Sequence, residues 1–191
     1  MKKILIGTHN KGKFKELAYL LPKKLKKVSP TSLNIKSPKE TGKSFISNSK
    51  LKVKYFSRFV DYPVISDDSG LCIKALKNKP GIYSARLAKK HGSFFKAMKV
   101  LLKKMKNKKN RKAKFVCSLS YKNKFGKIVT VQGNLYGKIS TRIFGRKGFG
   151  YDPIFIPNTK KITFGQMSRE RKINMDHRFL AYKKLLKKTK I

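Results

Sequence analysis

Residues Tyr62 to Leu76, YPVISDDSGLCIKAL, set two neighbouring aspartates between apolar runs. The surrounding chain avoids acids: 191 residues carry 50 Lys+Arg against 8 Asp+Glu, a formal net charge of +42. An adjacent pair among so few acids arises by chance roughly one time in three, so the setting has to carry the argument. The apolar runs predict strand, polar turn, strand, with Asp67 and Asp68 in the turn close to the core. Two buried like charges repel unless a cation or hydrogen bonds compensate. Two readings stay open: a structural turn whose carboxylates bind backbone amides, or a metal-assisted site in which one carboxylate binds Mg²⁺ and orients water.

Upstream, KKILIG reads as a buried strand and KGKFKELAYLL as a helix with Phe14, Leu17, Ala18 and Leu21 on one face. Pro22 and Pro30 bracket a short connection. A second helix is expected from about Lys43 to Phe59, with Phe45, Leu51, Tyr55 and Phe56 on its buried face. Downstream, SFFKAMKVLLKKM predicts a third amphipathic helix, and NKKNRKAK an exposed basic loop. KFVCSLSY and KIVTVQGNLYGKI alternate as antiparallel strands joined through KNKFGK. GRKGFGYDPIFIP is a glycine-rich loop entering a short strand, and HRFLAYKKLLKK closes the chain as a helix. No repeat or linker interrupts this order, which predicts one α/β domain over residues 1–191, a mixed sheet with packed helices.

No apolar run approaches the roughly 20 residues of a membrane span. The opening MKKILIG lacks the apolar stretch of about 7–15 residues of a secretory signal and reads as a first strand. Cys72 and Cys117 have no metal spacing, which fits a reducing cytoplasm. The charge is compatible with polyanion binding by counterion release. The lysines are nevertheless spread along the chain rather than gathered in a tail, so a compositional bias with solvated lysine faces accounts for them equally well.

Four further constellations could carry chemistry. THNKGK lies at a strand-to-helix junction, where unpaired N–H groups and a partial positive charge can hold phosphate; an ordinary capped helix is the alternative. The GxxxxGK[ST] spacing of a nucleotide-binding P-loop is absent. Asn48 and Lys52 stand at i and i+4 on one helix face. Glu40, near that helix start, either complements the dipole or serves as a Mg²⁺ ligand. GFGYDP either closes a tight turn at Pro153 or builds a flat-ring pocket. Asp176, His177 and Arg178 open the last helix as a cap, or His177 and Arg178 donate to a carbonyl.

Taken in order, THNKGKFKEL, ETGKSFISNSKLK, SDDSGL, PGIYSAR, GFGYDPIF, TFGQMS and HR cover nearly the whole chain. This set resembles the inosine triphosphate pyrophosphatase family. The resemblance implies an elongated α/β fold with a mixed central sheet and flanking helices, two lobes around a substrate cleft, and a homodimer. It further implies Mg²⁺-dependent hydrolysis of dITP, ITP and XTP to the monophosphate and pyrophosphate, with no specific nucleic-acid partner and no membrane. Asp68 would be the catalytic carboxylate and a metal ligand, with Glu40 the second acid and Asp67 a support. Thr8, His9, Asn10, Lys11, Gly12 and Lys13, with Asn48 and Lys52, would hold the triphosphate, and Ser69 would bind the nucleotide beside Asp68. Phe149, Gly150, Tyr151 and Asp152 would bind the nucleotide, with Phe149 stacking on the base. Asp152 would read its edge, while Lys172, His177 and Arg178 supply donors. The chain departs from the family pattern at Asp176, where Ser is usual, at Ser47, where an acid is common, and in the short LAKKHGSFFKAM segment. A basic nucleic-acid-binding protein on the same fold, and a pyrophosphatase for another modified nucleotide, are the alternative functions.

Overall fold

The computed structural model describes residues 2–191. Strand β1, Lys3–Ile6, buries Ile4, Leu5 and Ile6 and pairs in parallel with β2, Lys26–Val28, and with β3, Val64–Ile73. Leu5 is the partner of Val28 on one side and of Val64 on the other. Strands β4, Lys112–Lys122, and β5, Ile128–Ile139, follow; β6, Phe155–Pro157, pairs antiparallel with β5. The strand order is β2-β1-β3-β4-β5-β6, a mixed six-stranded sheet. Helices α1, Lys11–Leu20; α2, Phe45–Phe56; α3, Ser84–Lys90; α4, Phe94–Lys104; α5, Arg169–Ile173; and α6, His177–Leu186, complete an α/β fold.

The chain divides into two compact units. The first comprises the chain up to Asp68, Cys117–Gly133 and Arg178–Ile191; the second comprises Ser69–Val116 and Asn134–His177. In the first unit the two-residue period of β1 sorts its side chains between two cores. Ile4 and Ile6 join Leu17 of α1, Leu21 just after it, and Ala181 and Leu185 of α6, whereas Leu5 joins Val53 and Phe56 of α2. The second unit packs Leu71 and Ile73 of β3 with Ala97, Met98 and Leu101 of α4, Phe115 and Phe155. No helix among the described residues is long and apolar enough to cross a membrane.

Four expectations change. The connection between Pro22 and Pro30 contains β2. Helix α3 follows PGIY, where no helix is expected. The second helix spans only Phe45–Phe56, and its fully buried positions are Asn48, Ser49, Lys52, Val53 and Phe56, three of them polar. Phe45, Leu51 and Tyr55 are half-buried. Lastly, Asp67 and Asp68 do not occupy a turn: β3 runs unbroken from Val64 to Ile73 through both. A carboxylate pair is tolerated inside a strand because each finds its own buried partners.

Candidate active site

Successive strand residues face opposite sides of a sheet, so the two aspartates have separate surroundings. Asp67 Oδ2 lies 3.2 Å from Lys13 Nζ and accepts a 3.0 Å hydrogen bond from Arg178 Nη2. Arg178, completely buried, also donates through Nη1 to Glu16. Burial alone would raise the Asp67 pKa, but Lys13, Arg178 and Lys52 outweigh it and hold the carboxyl well below the usual carboxylate range. Asp67 is thus an ionised anchor between α1 and α6.

Asp68 stands differently. Its Oδ2 accepts from Asn48 Nδ2 at 3.1 Å, and its Oδ1 is 4.0 Å from Lys52 Nζ. Burial pushes its pKa above the ordinary 3.8, with the nearby Glu40 charge adding to the rise; Lys13, Lys52 and the Asn48 hydrogen bond oppose it. A carboxylate so raised is a stronger proton acceptor than its neighbour. Lys52 Nζ donates to Glu40 Oε1 at 3.0 Å, so one ammonium touches both acids. Burial would lower the Lys52 pKa, yet the charges of Asp67, Asp68 and Glu40 raise it instead.

The turn after β1 is built around Gly7: a Cβ there would meet Ser66 Oγ at 2.2 Å and Phe56 at 2.5 Å. Only glycine permits this approach of β1 to β3 and α2. Thr8 Oγ1 accepts from Asn10 N–H at 3.2 Å, and Asn10 caps α1 by accepting from Lys13 N–H at 3.0 Å. The first-turn amides of Lys11 and Gly12 have no intrahelical acceptor and so point their positive ends out of α1. His9 faces elsewhere: Nε2 donates to Ile35 O at 2.9 Å, and Nδ1 is 2.6 Å from Ser37 Oγ. The structure therefore uses His9 to tether the 35–37 segment.

Asn48 is also more occupied than expected of a phosphate donor. Its Oδ1 accepts from Gly42 N–H at 2.8 Å while Nδ2 holds Asp68. Helix α2 is capped at Ser44, where Ser44 and Ser47 form a reciprocal capping box, so Ser47 fills the place of the usual acid with a cap.

In the second unit, Asp152 and Lys172 form a buried ion pair of 2.6 Å. Asp152 Oδ2 also accepts from Phe149 N–H at 2.8 Å, and Gly148, at φ +76°, leaves room for it: a Cβ there would come within 2.2 Å of that oxygen. Lys172 Nζ lies 4.6 Å from the centre of the half-buried Phe149 ring. Gly150 continues the loop with φ +65°. The buried Tyr151 turns inward, donating to Ser84 O at 2.8 Å and meeting Phe94 edge-on. Its hydroxyl is committed to the fold. Ser69 is half-buried in β3. His177 stacks on Phe115 at 4.8 Å and 15°, with the buried Asp176 preceding it.

Two groupings emerge. Lys13, Glu40, Asn48, Lys52, Asp67, Asp68 and Arg178 belong to the first unit, and Phe149, Asp152, Lys172 and His177 to the second. Arg178, expected as a donor to a carbonyl beside His177, directs both terminal nitrogens to carboxylates. Sequence reasoning missed Glu16, although it lies three residues after Lys13 on α1 and so shares its face.

Fold and geometry together define an α/β protein with a lysine-bridged acid pair beside a capped strand-to-helix turn. The chain belongs to the Ham1 family, whose model matches residues 4–188. It is similar to the dITP/XTP pyrophosphatase of Borreliella burgdorferi, 40% identical over 99% of this chain and 98% of the relative. It is likewise 36% identical to that of Zymomonas mobilis, over 96% and 90%. Among solved structures, the HAM1 protein from Coxiella burnetii superposes with a TM-score of 0.87 at 28% identity, covering 99% of this chain and all of that one. The Staphylococcus aureus Ham1 protein gives 0.84 at 33%, covering 98% and 100%.

Proposed function

We propose that this chain is a nucleoside triphosphate pyrophosphatase, hydrolysing dITP, ITP and XTP to the monophosphate and pyrophosphate and so keeping these purines out of DNA and RNA. The relatives' activity supports the reading, and the observation that carries it is the division of labour between the adjacent aspartates. One is locked as an anion by Lys13 and Arg178, and the other is raised towards proton acceptance.

Asp68 takes the proton of a water that attacks the α-phosphorus, while the bond from that phosphorus to the bridging oxygen breaks and pyrophosphate departs. Asn48 fixes the carboxylate's orientation by holding Oδ2. Lys13, Lys52 and the first-turn amides of α1 neutralise charge on the triphosphate. Arg178 and Glu16 act through Asp67, which holds Lys13 in place.

The acid pair fits Mg²⁺. No cluster of three metal-ligating side chains exists among the described residues, but Mg²⁺ takes one or two carboxylates and fills its octahedron with waters and phosphates. Asp68 and Glu40, gathered on one ammonium, are such a donor set. The bound ion would supply charge neutralisation along the triphosphate. In the second unit, Phe149 stacks on the base while Lys172 and His177 donate to its C6 carbonyl. The chain works as one domain, a cytoplasmic homodimer. The test is a panel of dITP, ITP, XTP, dATP, dGTP and other modified nucleotides with Mg²⁺, read as pyrophosphate release. Preference for the first three is expected; none hydrolysed, or all hydrolysed alike, overturns the reading.

A further inference from the structure

From Ser69 to Tyr151 the chain contains no carboxylate. Within that stretch α3, α4 and the turn after β3 enclose a concavity of about 620 Å³ in the second unit. Leu76, Leu87 and Leu101 contribute apolar lining, and Lys77, Lys79, Arg86, Lys90, Lys104 and Lys108 surround it. All six cations are exposed. Tyr83, 54% exposed, stands at the same concavity, with the Arg86 guanidinium 5.0 Å from its ring centre. The exposed basic segment Lys106–Asn110 adjoins it.

We propose that this face binds single-stranded nucleic acid without sequence preference. Exposed lysines occur along the whole chain and would by themselves mark no site. What distinguishes this face is a hollow with an apolar lining, cations only, and an accessible aromatic ring. Those are the parts of a single-strand platform: bases stack on the aromatic side chain while lysines follow the phosphates. A second copy meeting this face with its own would bring the same six cations against these, with no acid in the lining to pair them. A duplex keeps its bases inside and offers Tyr83 nothing to stack on.

The test is fluorescence anisotropy with fluorescein-labelled 20-mers of dT and of rU, alongside a duplex of equal length. Wild type is compared with Tyr83→Ala, with Lys104→Glu/Lys108→Glu, and with a control pair in the first unit, Lys23→Glu/Lys24→Glu. Tyr83→Ala, at an exposed position, is expected to weaken single-strand affinity about five-fold or more while leaving the melting temperature and dITP hydrolysis unchanged. Lys104→Glu/Lys108→Glu should flatten the salt dependence by about 1.4 in slope, two contacts at roughly 0.7 each. The control pair should move neither quantity by as much, and Lys13→Ala should leave oligonucleotide binding intact. The proposal fails on any of these results: equal losses in patch and control variants, no effect of Tyr83→Ala, or a duplex bound as tightly as a single strand. It also fails if anionic phosphatidylserine vesicles bind the patch and the oligomers do not, or if Tyr83→Ala converts a dimer to a monomer.

Discussion

Asn48 bridges Gly42 and Asp68: its carbonyl accepts from the Gly42 N–H at 2.8 Å and its amide holds Asp68 Oδ2 at 3.1 Å. One side chain thus ties the loop before α2 to the carboxylate assigned to catalysis. Asn48→Ala removes both ends of that bridge. Misplacing a catalytic group by about 1 Å costs on the order of 10²-fold in rate, so kcat should fall that far with KM for dITP changed little. Were kcat unchanged and KM raised, Asn48 would be a phosphate donor after all.

On the proposed mechanism, proton and Mg²⁺ would compete for Asp68. Its pKa is raised above the ordinary 3.8, chiefly by burial, so the ionised form needed to accept a proton is lost as pH falls through that raised value. The acid limb of kcat/KM therefore lies above pH 3.8. Raising Mg²⁺ should shift it to lower pH, because the ion favours the ionised carboxylate. An acid limb that stays fixed across a hundred-fold range of Mg²⁺ would separate Asp68 from the metal. Asp68→Asn should abolish turnover at every pH.

Arg178 has the opposite kind of consequence, on stability. Removing one partner of a buried ion pair costs about 3–5 kcal/mol, and Arg178→Met leaves both Asp67 and Glu16 without it. Urea unfolding should report a loss of that size. Asp67, whose folded pKa is depressed, stabilises the fold above the unfolded value near 3.8, and this contribution is lost as pH falls below it. Asp67→Asn should accordingly lower stability at pH 7 and flatten its dependence below pH 3.8. A variant as acid-labile as wild type would show that the anchor lies elsewhere.

Much of this was legible in the sequence, and the failures share a cause. Apolar periodicity located β1, α1, α4, β4, β5 and α6 because enough of their buried positions are apolar to set the period, even though Glu16, Ser118, Ser120 and Arg178 are buried among them. It misjudged α2, whose buried face carries Asn48, Ser49 and Lys52, and it broke β3 at the aspartates. In both places polar side chains are buried because partners distant in sequence satisfy them, as Arg178 does for Asp67 across 111 positions. Local patterns cannot register such partners. The family resemblance assigned Tyr151 to the substrate, and local patterns gave no sign that its hydroxyl donates to Ser84 O.

That contact makes Tyr151→Phe a clean separation of roles. Losing a buried hydrogen bond costs about 1 kcal/mol, and leaving the Ser84 carbonyl unsatisfied adds roughly 1–3. Stability should fall within that range while kcat and KM for dITP hold at wild-type values. A raised KM with stability intact would return the hydroxyl to the substrate.

The proposed base choice is tested at Lys172. Its ammonium is 3% exposed, held 2.6 Å from Asp152 Oδ2, and lies 4.6 Å from the Phe149 ring centre. A cation there can only donate. Hypoxanthine and xanthine offer a carbonyl at C6 to receive that donation, whereas adenine offers an amino group, which cannot accept it. A hydrogen bond involving a charged group contributes about 1.5–3 kcal/mol, so losing it should narrow the dITP to dATP ratio in kcat/KM by roughly 10- to 100-fold. Lys172→Met alone would strand the Asp152 charge and confound folding with recognition. Lys172→Met/Asp152→Asn removes both charges, and the neutral amide can still accept from the Phe149 N–H. In that double variant the ratio should collapse through loss of dITP turnover while dATP changes little. If the ratio survives with the fold intact, the C6 carbonyl is read by another group, with His177 the next to replace.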